Sequence, residues 1–276
     1  METYVLGDIH GCRNALENVL SRAPVQVGDR IIPAGDLVNR GRHSKEVIDL
    51  MIELKRRGYL VEAVIGNHEV MFFALVGDDR ILSAFPPGLI GLDSSDVVGL
   101  APMVIGGFGP VIRSYTGGHA ELAEVVIPEA HVEFFRGLKV FVFCEVGVGE
   151  SILVSHGGLD PEALIDRSAQ LDHQLALERT SLRRLIWVRP AARGVPYGYP
   201  DSMGYTVVYG HTPTLDGQPL IRRCEIALDT SFWRRGDVME LADSLVFGAD
   251  DEEKGTVTIM RMSDRRYWQG QSSSDF

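Results

Sequence analysis

The first 70 residues alternate short apolar runs with amphipathic segments, and this order constrains the fold more than any other feature. The runs TYVLGD, DRIIPAGD and YLVEAVIGNHE predict three strands. Between them, residues 14–22 and the segment SKEVIDLMIELKRRG, which ends at Gly58, predict helices. Strands that alternate with helices of this length indicate βαβ units and a sheet that is at least partly parallel.

The second half of the chain is rich in predicted strands. Their sequences are KVFVFCEV, SILVSHGG, YTVVYGHT, CEIALDTSF, VMELADS and TVTIMRMS. Helices are expected over about residues 128–138 and 172–187. The fold class expected from this order is α/β (α+β), with two stacked sheets and helices outside them.

Residues 77–118 interrupt this pattern, because Gly, Pro and small apolar residues dominate there without a clear period. We expect this segment to be a small cap-like insertion beside the core. A chain of 276 residues is long enough to bury one large core. Residues 1–270 are therefore expected to form a single domain, and the Ser-rich residues 271–276 a flexible tail.

Composition excludes several classes of partner. The net charge of −11 argues against non-specific binding to nucleic acid, which requires a basic surface. No apolar run reaches the roughly 18 residues that cross a bilayer, and the N-terminus carries no basic region typical of a signal peptide. Three scattered cysteines argue against a disulfide framework. We therefore expect a cytoplasmic protein with no membrane or nucleic-acid partner.

Five of the predicted strands end in side chains that can bind metal ions. These side chains are Asp8, His10, Asp36, Asn67, His156 and His211. Residues two apart in an extended segment point to the same side, so Asp8 and His10 can hold one ion together, and Asp36 can bridge two. Mixed oxygen and nitrogen ligands favour transition metals over Ca²⁺ and Mg²⁺. The expected cofactor is a pair of divalent ions, with Mn²⁺ the first choice and Fe, Zn, Co or Ni as alternatives.

Two metal ions about 3.5–4 Å apart can clamp a phosphoryl group for in-line displacement. Such chemistry also requires a cation for the phosphate oxygens, and Arg40, just after Asp36, can bind them in bidentate fashion. The leaving oxygen needs a proton, which His68 can supply. Arg189, which follows the run LIWV, is the candidate for a second cation.

The ordered motifs GD-x-HG, GD-x-x-x-RG, GNHE, HGG and GH resemble the phosphoprotein phosphatase branch of the calcineurin-like metallophosphoesterases. The resemblance covers residues 4–240. It implies a β-sandwich of two mixed sheets flanked by helices, a two-metal centre, and phosphoester hydrolysis by a hydroxide that the metals activate. The branch includes serine/threonine protein phosphatases, broad bacterial phosphatases and symmetrical dinucleoside tetraphosphate hydrolases.

Individual motifs divide between these groups. GNHE and SHGGLDP resemble the protein phosphatases, whereas the tetraphosphatases tend to show GNHD and HAG. In GDLVNRG, Asn39 stands where protein phosphatases carry an aspartate that pairs with the general-acid histidine. An amide can hydrogen-bond an imidazole but cannot stabilise an imidazolium by charge. Asn39 therefore favours substrates whose leaving group needs little protonation.

The sequence leaves three functions open. The first is hydrolysis of phosphomonoesters, above all of phosphoserine or phosphothreonine in a protein or peptide. The second is hydrolysis of a symmetrical dinucleoside polyphosphate such as diadenosine tetraphosphate, in which Tyr197 stacks on a nucleobase; packing is the alternative role for this tyrosine. The third is a phosphate-binding module with little activity.

Overall fold

A computed structural model describes residues 1–86, 89–90, 108–119, 121–160, 181–189, 195–230 and 255–272. The α-helices of these ranges are α1 (Arg13–Arg22), α2 (Ser44–Arg56), α3 (Asn67–Val76), α4 (Asp79–Leu82), α5 (Gly109–Thr116), α6 (Glu129–Arg136) and α7 (Arg184–Trp187). The strands are β1 (Thr3–Leu6), β2 (Arg30–Pro33), β3 (Leu60–Val61), β4 (Phe141–Gly147), β5 (Glu150–Ser155), β6 (Thr206–Tyr209), β7 (Leu220–Ile221), β8 (Glu225–Ala227), β9 (Thr256–Arg261) and β10 (Tyr267–Gln271).

The strands form two five-stranded sheets, and each sheet mixes parallel with antiparallel pairs. The first has the order β10-β9-β1-β2-β3, in which β1, β2 and β3 are parallel while β9 and β10 pair antiparallel. The second has the order β4-β5-β6-β8-β7, with β5, β6 and β8 parallel and an antiparallel strand at each edge. The expected architecture of two mixed sheets flanked by helices is confirmed.

The two sheets pack face to face through aliphatic side chains. Val5 and Ile32 of the first sheet belong to the same buried cluster as Val208 of the second. Leu6 points to the opposite face, where it lies in a second cluster with Leu16 of α1. Successive side chains of a strand point to opposite faces, so β1 is apolar on both sides because both sides are covered.

Helix α2 shows how the helices attach to the first sheet. Its buried apolar residues are Val47, Ile48, Met51 and Leu54, which recur at the spacing of one helix face. The remaining positions carry mostly charged side chains such as Lys45 and Glu53. This helix and α1 cover the outer face of the first sheet. They do not cover its edge at the carboxyl ends of β1 and β2, where the loops after these strands lie.

Several predicted elements differ in extent from the structure. Only residues 60–61 of the predicted third strand form ladder pairs, with an isolated bridge at Val64. No strand is predicted for residues 267–271, yet they form β10, and Gly270 lies so close to α1 that a Cβ would meet the Ala15 carbonyl oxygen. Gln271, the expected first residue of a flexible tail, is the last residue of this strand.

Other predictions fall partly on residues that the structure does not describe. Of the cap-like insertion at 77–118, the described parts include α4 and α5, while residues 87–88 and 91–107 lie outside the described residues. The predicted strand VMELADS, most of the predicted helix at 172–187 and residues 273–276 also lie outside them. The single-domain assignment stays a prediction. None of the helices in the described ranges is both long enough and apolar enough to cross a membrane.

Candidate metal centre

The loops that leave the carboxyl ends of the strands bring the predicted ligands of both sheets together. Asp8 and His10 follow β1, and Asp36 follows β2. Asn67 begins α3 after β3, and His156 and His211 follow β5 and β6. The six residues are Asp8, His10, Asp36, Asn67, His156 and His211, and each is at most 4% exposed. In open α/β sheets, ligands bind outside the carboxyl ends of the strands. Here the carboxyl ends of the parallel strands of both sheets lie on the same side of the molecule, so their loops form one site.

The carboxylate of Asp36 lies in the middle of this cluster. Its Oδ2 is 3.6 Å from Nε2 of His10 and 3.8 Å from Nε2 of His68. Its Oδ1 is 3.2 Å from Nε2 of His156. The two oxygens therefore face two separate groups of potential ligands, His10 and His68 on one side and His156 with His211 on the other. This is the arrangement that a carboxylate bridging two cations requires.

On the second side, three ligand atoms converge. Oδ1 of Asn67 lies 2.9 Å from Nε2 of His156 and 2.9 Å from Nδ1 of His211, and these two nitrogens are 3.1 Å apart. Nδ1 of His156 is 2.9 Å from the carbonyl oxygen of Ala34, to which its N–H donates. Nε2 of a neutral His156 then directs a lone pair at the same point as the Asn67 oxygen. Buried lone pairs that converge in this way fit a cation.

Burial and neighbouring charges shift the pKa values of the cluster's histidines in different directions. Burial opposes protonation of His156, but the carboxylate of Asp36 and its hydrogen bond raise the pKa of the ring above its usual value. Burial lowers the pKa of His10 and of His211 well below the usual range, so both present neutral nitrogens. Neutral imidazole and ionised carboxylate are the forms that bind metal ions.

Asp229 is a site carboxylate that the sequence prediction missed. It is 1% exposed and follows β8, as Asp8 follows β1. The pKa of Asp8 is raised well above its usual range by burial, by Asp229 and by Asp36, so the three carboxylates lie near one another. A strand followed directly by Asp is present in CEIALDTSF, so the signal that identified Asp8 could also have identified Asp229.

Both predicted arginines place a positive charge near the cluster. Nη1 of Arg189 donates to the carbonyl oxygen of His211 at 2.7 Å. Burial lowers the pKa of Arg189, while Asp36, Asp229 and Asp8 oppose this shift. The charge of Arg40 helps to lower the pKa of His10. The structure therefore brings two guanidinium groups to the carboxylates and histidines of one centre.

The backbone of the centre is strained. Six non-glycine residues in the described ranges have positive φ angles, and five of them belong to the site loops. These five are His10 (50°), Asp36 (51°), Asn39 (76°), Arg40 (67°) and His211 (69°). Such conformations are costly for residues with a Cβ and persist where surrounding interactions hold them, which is common at functional sites.

Asn39 determines which ring nitrogen of His68 carries the proton. The backbone N–H of Arg40 donates to Oδ1 of Asn39 at 2.8 Å, so the amide nitrogen of Asn39 must be the atom that lies 2.8 Å from Nδ1 of His68. An amide N–H₂ only donates, and Nδ1 therefore accepts. The neutral ring then carries its proton on Nε2, which faces Asp36. Burial lowers the pKa of His68 to about 3, in agreement with a neutral ring.

Tyr197 lies beside the loop that carries His156. Its hydroxyl donates to the carbonyl oxygen of Gly157 at 2.6 Å. Its ring stacks on Tyr199 with centroids 5.3 Å apart and meets the edge of Tyr209 at 5.2 Å. Both the hydroxyl and the ring thus contact other parts of the protein. Stacking on a nucleobase stays a prediction for this residue.

Comparisons with known proteins agree with this geometry. A 76-residue segment is 41% identical to a symmetrical bis(5'-nucleosyl)-tetraphosphatase of Buchnera aphidicola subsp. Baizongia pistaciae, covering 27% of this chain and 26% of the relative. A 102-residue segment is 34% identical to the enzyme of the same name from Baumannia cicadellinicola subsp. Homalodisca coagulata, covering 36% of this chain and 34% of the relative. The aligned segments thus span about a quarter to a third of these relatives.

A solved structure provisionally named as a diadenosine tetraphosphatase has the same overall fold. It superposes with a TM-score of 0.50 at 18% identity, over 99% of this chain and 94% of that one. At this identity the match concerns the fold alone. A model of the calcineurin-like phosphoesterases matches residues 1–238, which is most of the chain. The chain therefore belongs to the calcineurin-like phosphoesterase family, a family of phosphoric ester hydrolases.

Proposed function

We propose that this chain is a metal-dependent phosphoric ester hydrolase. The observation that carries the proposal is the carboxylate of Asp36, whose Oδ2 faces His10 and whose Oδ1 faces His156, in two separate groups of buried side chains that could hold a metal ion. Two divalent ions bound there would activate water and polarise the phosphoryl oxygens of a substrate. The proposed ligands are those of the sequence prediction, with Asp8 and His10 on one side, Asp36 between, and Asn67, His156 and His211 on the other; Mn²⁺ is the proposed metal.

Three side chains of the centre have proposed roles towards the substrate. Arg40 and Arg189 bind the non-bridging oxygens of the phosphoryl group, because planar guanidinium groups match phosphate in bidentate fashion. His68 presents Nε2–H towards the reacting group and donates a hydrogen bond to the leaving oxygen. Because Nδ1 already accepts from Asn39, His68 acts mainly as a hydrogen-bond donor and transfers its proton poorly.

This arrangement supports a substrate with a weakly basic leaving group. A phosphate-type leaving group has a pKa of about 6, so it departs without full protonation. The alkoxide that leaves a phosphoserine is far more basic and depends on an acid. We therefore propose hydrolysis of a symmetrical dinucleoside polyphosphate, the class of substrate in the names of the relatives described above.

A phosphoserine or phosphothreonine phosphatase is the second candidate. The observation in its favour is that an imidazole, that of His68, lies in the centre where a leaving alkoxide could receive a hydrogen bond. Its weakness is the amide partner Asn39 in place of a carboxylate. A phosphate-binding module with little activity is the least supported function, because the buried His10, Asp36, His156 and His211 lie in groups that could hold the metal ions of a hydrolase.

The deciding experiment measures kcat/KM of the Mn²⁺-loaded full chain for diadenosine tetraphosphate and for a phosphothreonine peptide, side by side. We expect a strong preference for the dinucleotide. A strong preference for the peptide would reject the dinucleotide substrate and leave the phosphatase. Hydrolysis of neither, or full activity after removal of metal by a chelator, would refute the metal-dependent hydrolase itself.

We also propose a reducing, cytoplasmic environment. Cys12, Cys144 and Cys224 form no disulfide with one another, and Cys12 and Cys224 are buried. Free cysteines persist where thiols are kept reduced. Mass spectrometry after alkylation of protein from intact cells should find all three as thiols, and a disulfide between any two would argue against this location.

A further inference from the structure

Glu69 is a fully buried carboxylate in the first turn of α3, two residues after the predicted ligand Asn67. Its two oxygens accept four backbone N–H groups. Oε2 accepts from Asp36 at 2.9 Å and Gly66 at 2.8 Å, and Oε1 accepts from Leu37 at 2.8 Å and Val38 at 3.0 Å. One side chain therefore binds the whole turn that follows β2.

That turn includes Asp36, one of the five positive-φ residues of the site loops. Asp36 has a φ of 51°, which a residue with a Cβ adopts only when its surroundings hold it there. Gly66 passes so close that a Cβ on it would meet the backbone nitrogen and Oδ1 of Asp36. The backbone N–H of His68 also donates to Oδ1 of Asp36 at 2.9 Å. The start of α3 and the turn after β2 are thus joined through Asp36 and Glu69.

We propose that Glu69 is a positioning residue that holds the carboxylate of Asp36 where both metal ions can share it. The proposal rests on the metal-dependent function above and adds a role for a residue outside the ligand set. Glu69 reaches this result through the backbone of residues 36–38. Without its three bonds to residues 36–38, the turn can relax to a negative φ at Asp36, and the bridging geometry is lost.

Glu69→Gln tests this role with almost no change in shape. A glutamine has one acceptor oxygen, and its N–H₂ group would face two backbone N–H donors in either orientation. Asp29→Asn is the matched control. Asp29 is 7% exposed and accepts the backbone N–H groups of Glu2 at 2.8 Å and Gln26 at 2.9 Å. It precedes β2, whereas Asp36 follows it, so the control removes a buried carboxylate at the far end of the same strand.

The measurement is calorimetric titration of Mn²⁺ into the full chain after chelator treatment. We expect two ions bound by the wild type and by Asp29→Asn. In Glu69→Gln we expect affinity for at least one ion to fall about 10–100-fold, the effect of losing a group that supports a ligand. Near-UV circular dichroism should show a folded protein. Two ions bound by Glu69→Gln with unchanged affinity would overturn the proposal, and a wild type that binds no Mn²⁺ would overturn it together with the proposed function.

A second measurement applies even if Glu69→Gln does not fold. Hydrogen exchange of the metal-free wild-type chain reports on the amides of Leu37 and Val38, whose described acceptor is Glu69. We expect these amides to be protected before Mn²⁺ is added, because the side chain holds the turn by itself. Exchange as fast as in an exposed loop, with protection only after Mn²⁺ is added, would show that the metal orders the turn and would overturn the proposal.

Discussion

The side-chain amide of Asn39 donates to Nδ1 of His68 across 2.8 Å, and the backbone N–H of Arg40 fixes the direction of that amide. A histidine whose Nδ1 accepts a hydrogen bond keeps its remaining proton on Nε2. Protonation of the ring would bring two donors together at Nδ1. His68 is therefore suited to donate a hydrogen bond in the centre and poorly suited to deliver a proton.

Asn39→Asp should increase the rate most for substrates with poor leaving groups. An aspartate accepts from Nδ1–H and stabilises the imidazolium by charge, so His68 can act as a general acid. We expect about a tenfold or greater gain for the least reactive aryl phosphates, within the range that general acid catalysis supplies. The measurement is the dependence of log kcat/KM on leaving-group pKa for the wild type and the variant. Equal slopes for both proteins would reject this account of Asn39.

His156→Asn should remove metal and activity together. The ring nitrogen of His156 lies 2.9 Å from the oxygen of Asn67 and 3.2 Å from that of Asp36, and the shorter amide withdraws from both. We expect kcat/KM to fall by at least about 100-fold, with less Mn²⁺ per chain by elemental analysis. The exposed His119 provides the control His119→Asn, which should match the wild type. Normal metal content in His156→Asn would remove His156 from the ligand set.

Comparison of Tyr197→Phe with Tyr197→Leu separates the two roles open to this residue, packing within the protein and stacking on a nucleobase. The change to phenylalanine deletes the hydrogen bond to the carbonyl oxygen of Gly157 and keeps the ring. We expect the free energy of unfolding to fall by about 1 kcal/mol, the usual net value of such a bond. If the ring also stacks on a nucleobase, Tyr197→Leu should raise KM for the dinucleotide more than Tyr197→Phe does. The same KM in both variants would exclude stacking.

His131 predicts how stability depends on pH. It is buried between Tyr115, which lies 2.9 Å from its Nδ1, and Asp49, which lies 2.8 Å from its Nε2; Lys45 pairs with the same aspartate. Burial lowers the pKa of His131, while Asp49 opposes the shift. The unfolded chain therefore binds the proton more readily. The stability that neutral His131 contributes is complete above the unfolded pKa of about 6.5 and is lost as the pH falls below it.

The check is urea unfolding of the wild type and His131→Gln at pH 7.5 and 5.5. We expect the wild type to lose more unfolding free energy between the two pH values, by at most about 1.4 kcal/mol per pH unit for one proton. Residues of the metal centre titrate equally in both proteins, so only the difference reports on His131. A wild-type loss no greater than that of the variant would show that His131 does not cause it.

Local pattern was sufficient for the larger part of the fold. The apolar runs of β1 and β2 and the periodic faces of α1 and α2 predict the bounds of their elements to within three residues. Burial of a strand on both sides, or of a helix on one face, produces a recognisable apolar pattern in the sequence. The sequence of strand β10 shows no such pattern. Its position depends on pairing with β9 and on Gly270 lying against α1, and both contacts join segments far apart in the chain.

For the site, the sequence by itself determined which residue types follow the strands, since a carboxylate or histidine at a buried strand end is costly without a partner. That argument selected Asp8, Asp36 and His156. Only the tertiary structure decided which atoms face each other. Three features depend on contacts between loops that are far apart in the chain: the proton position on His68, the nearness of Asp229 to Asp8, and the four bonds to Glu69. The direction of a hydrogen bond follows from which donors and acceptors those contacts bring together.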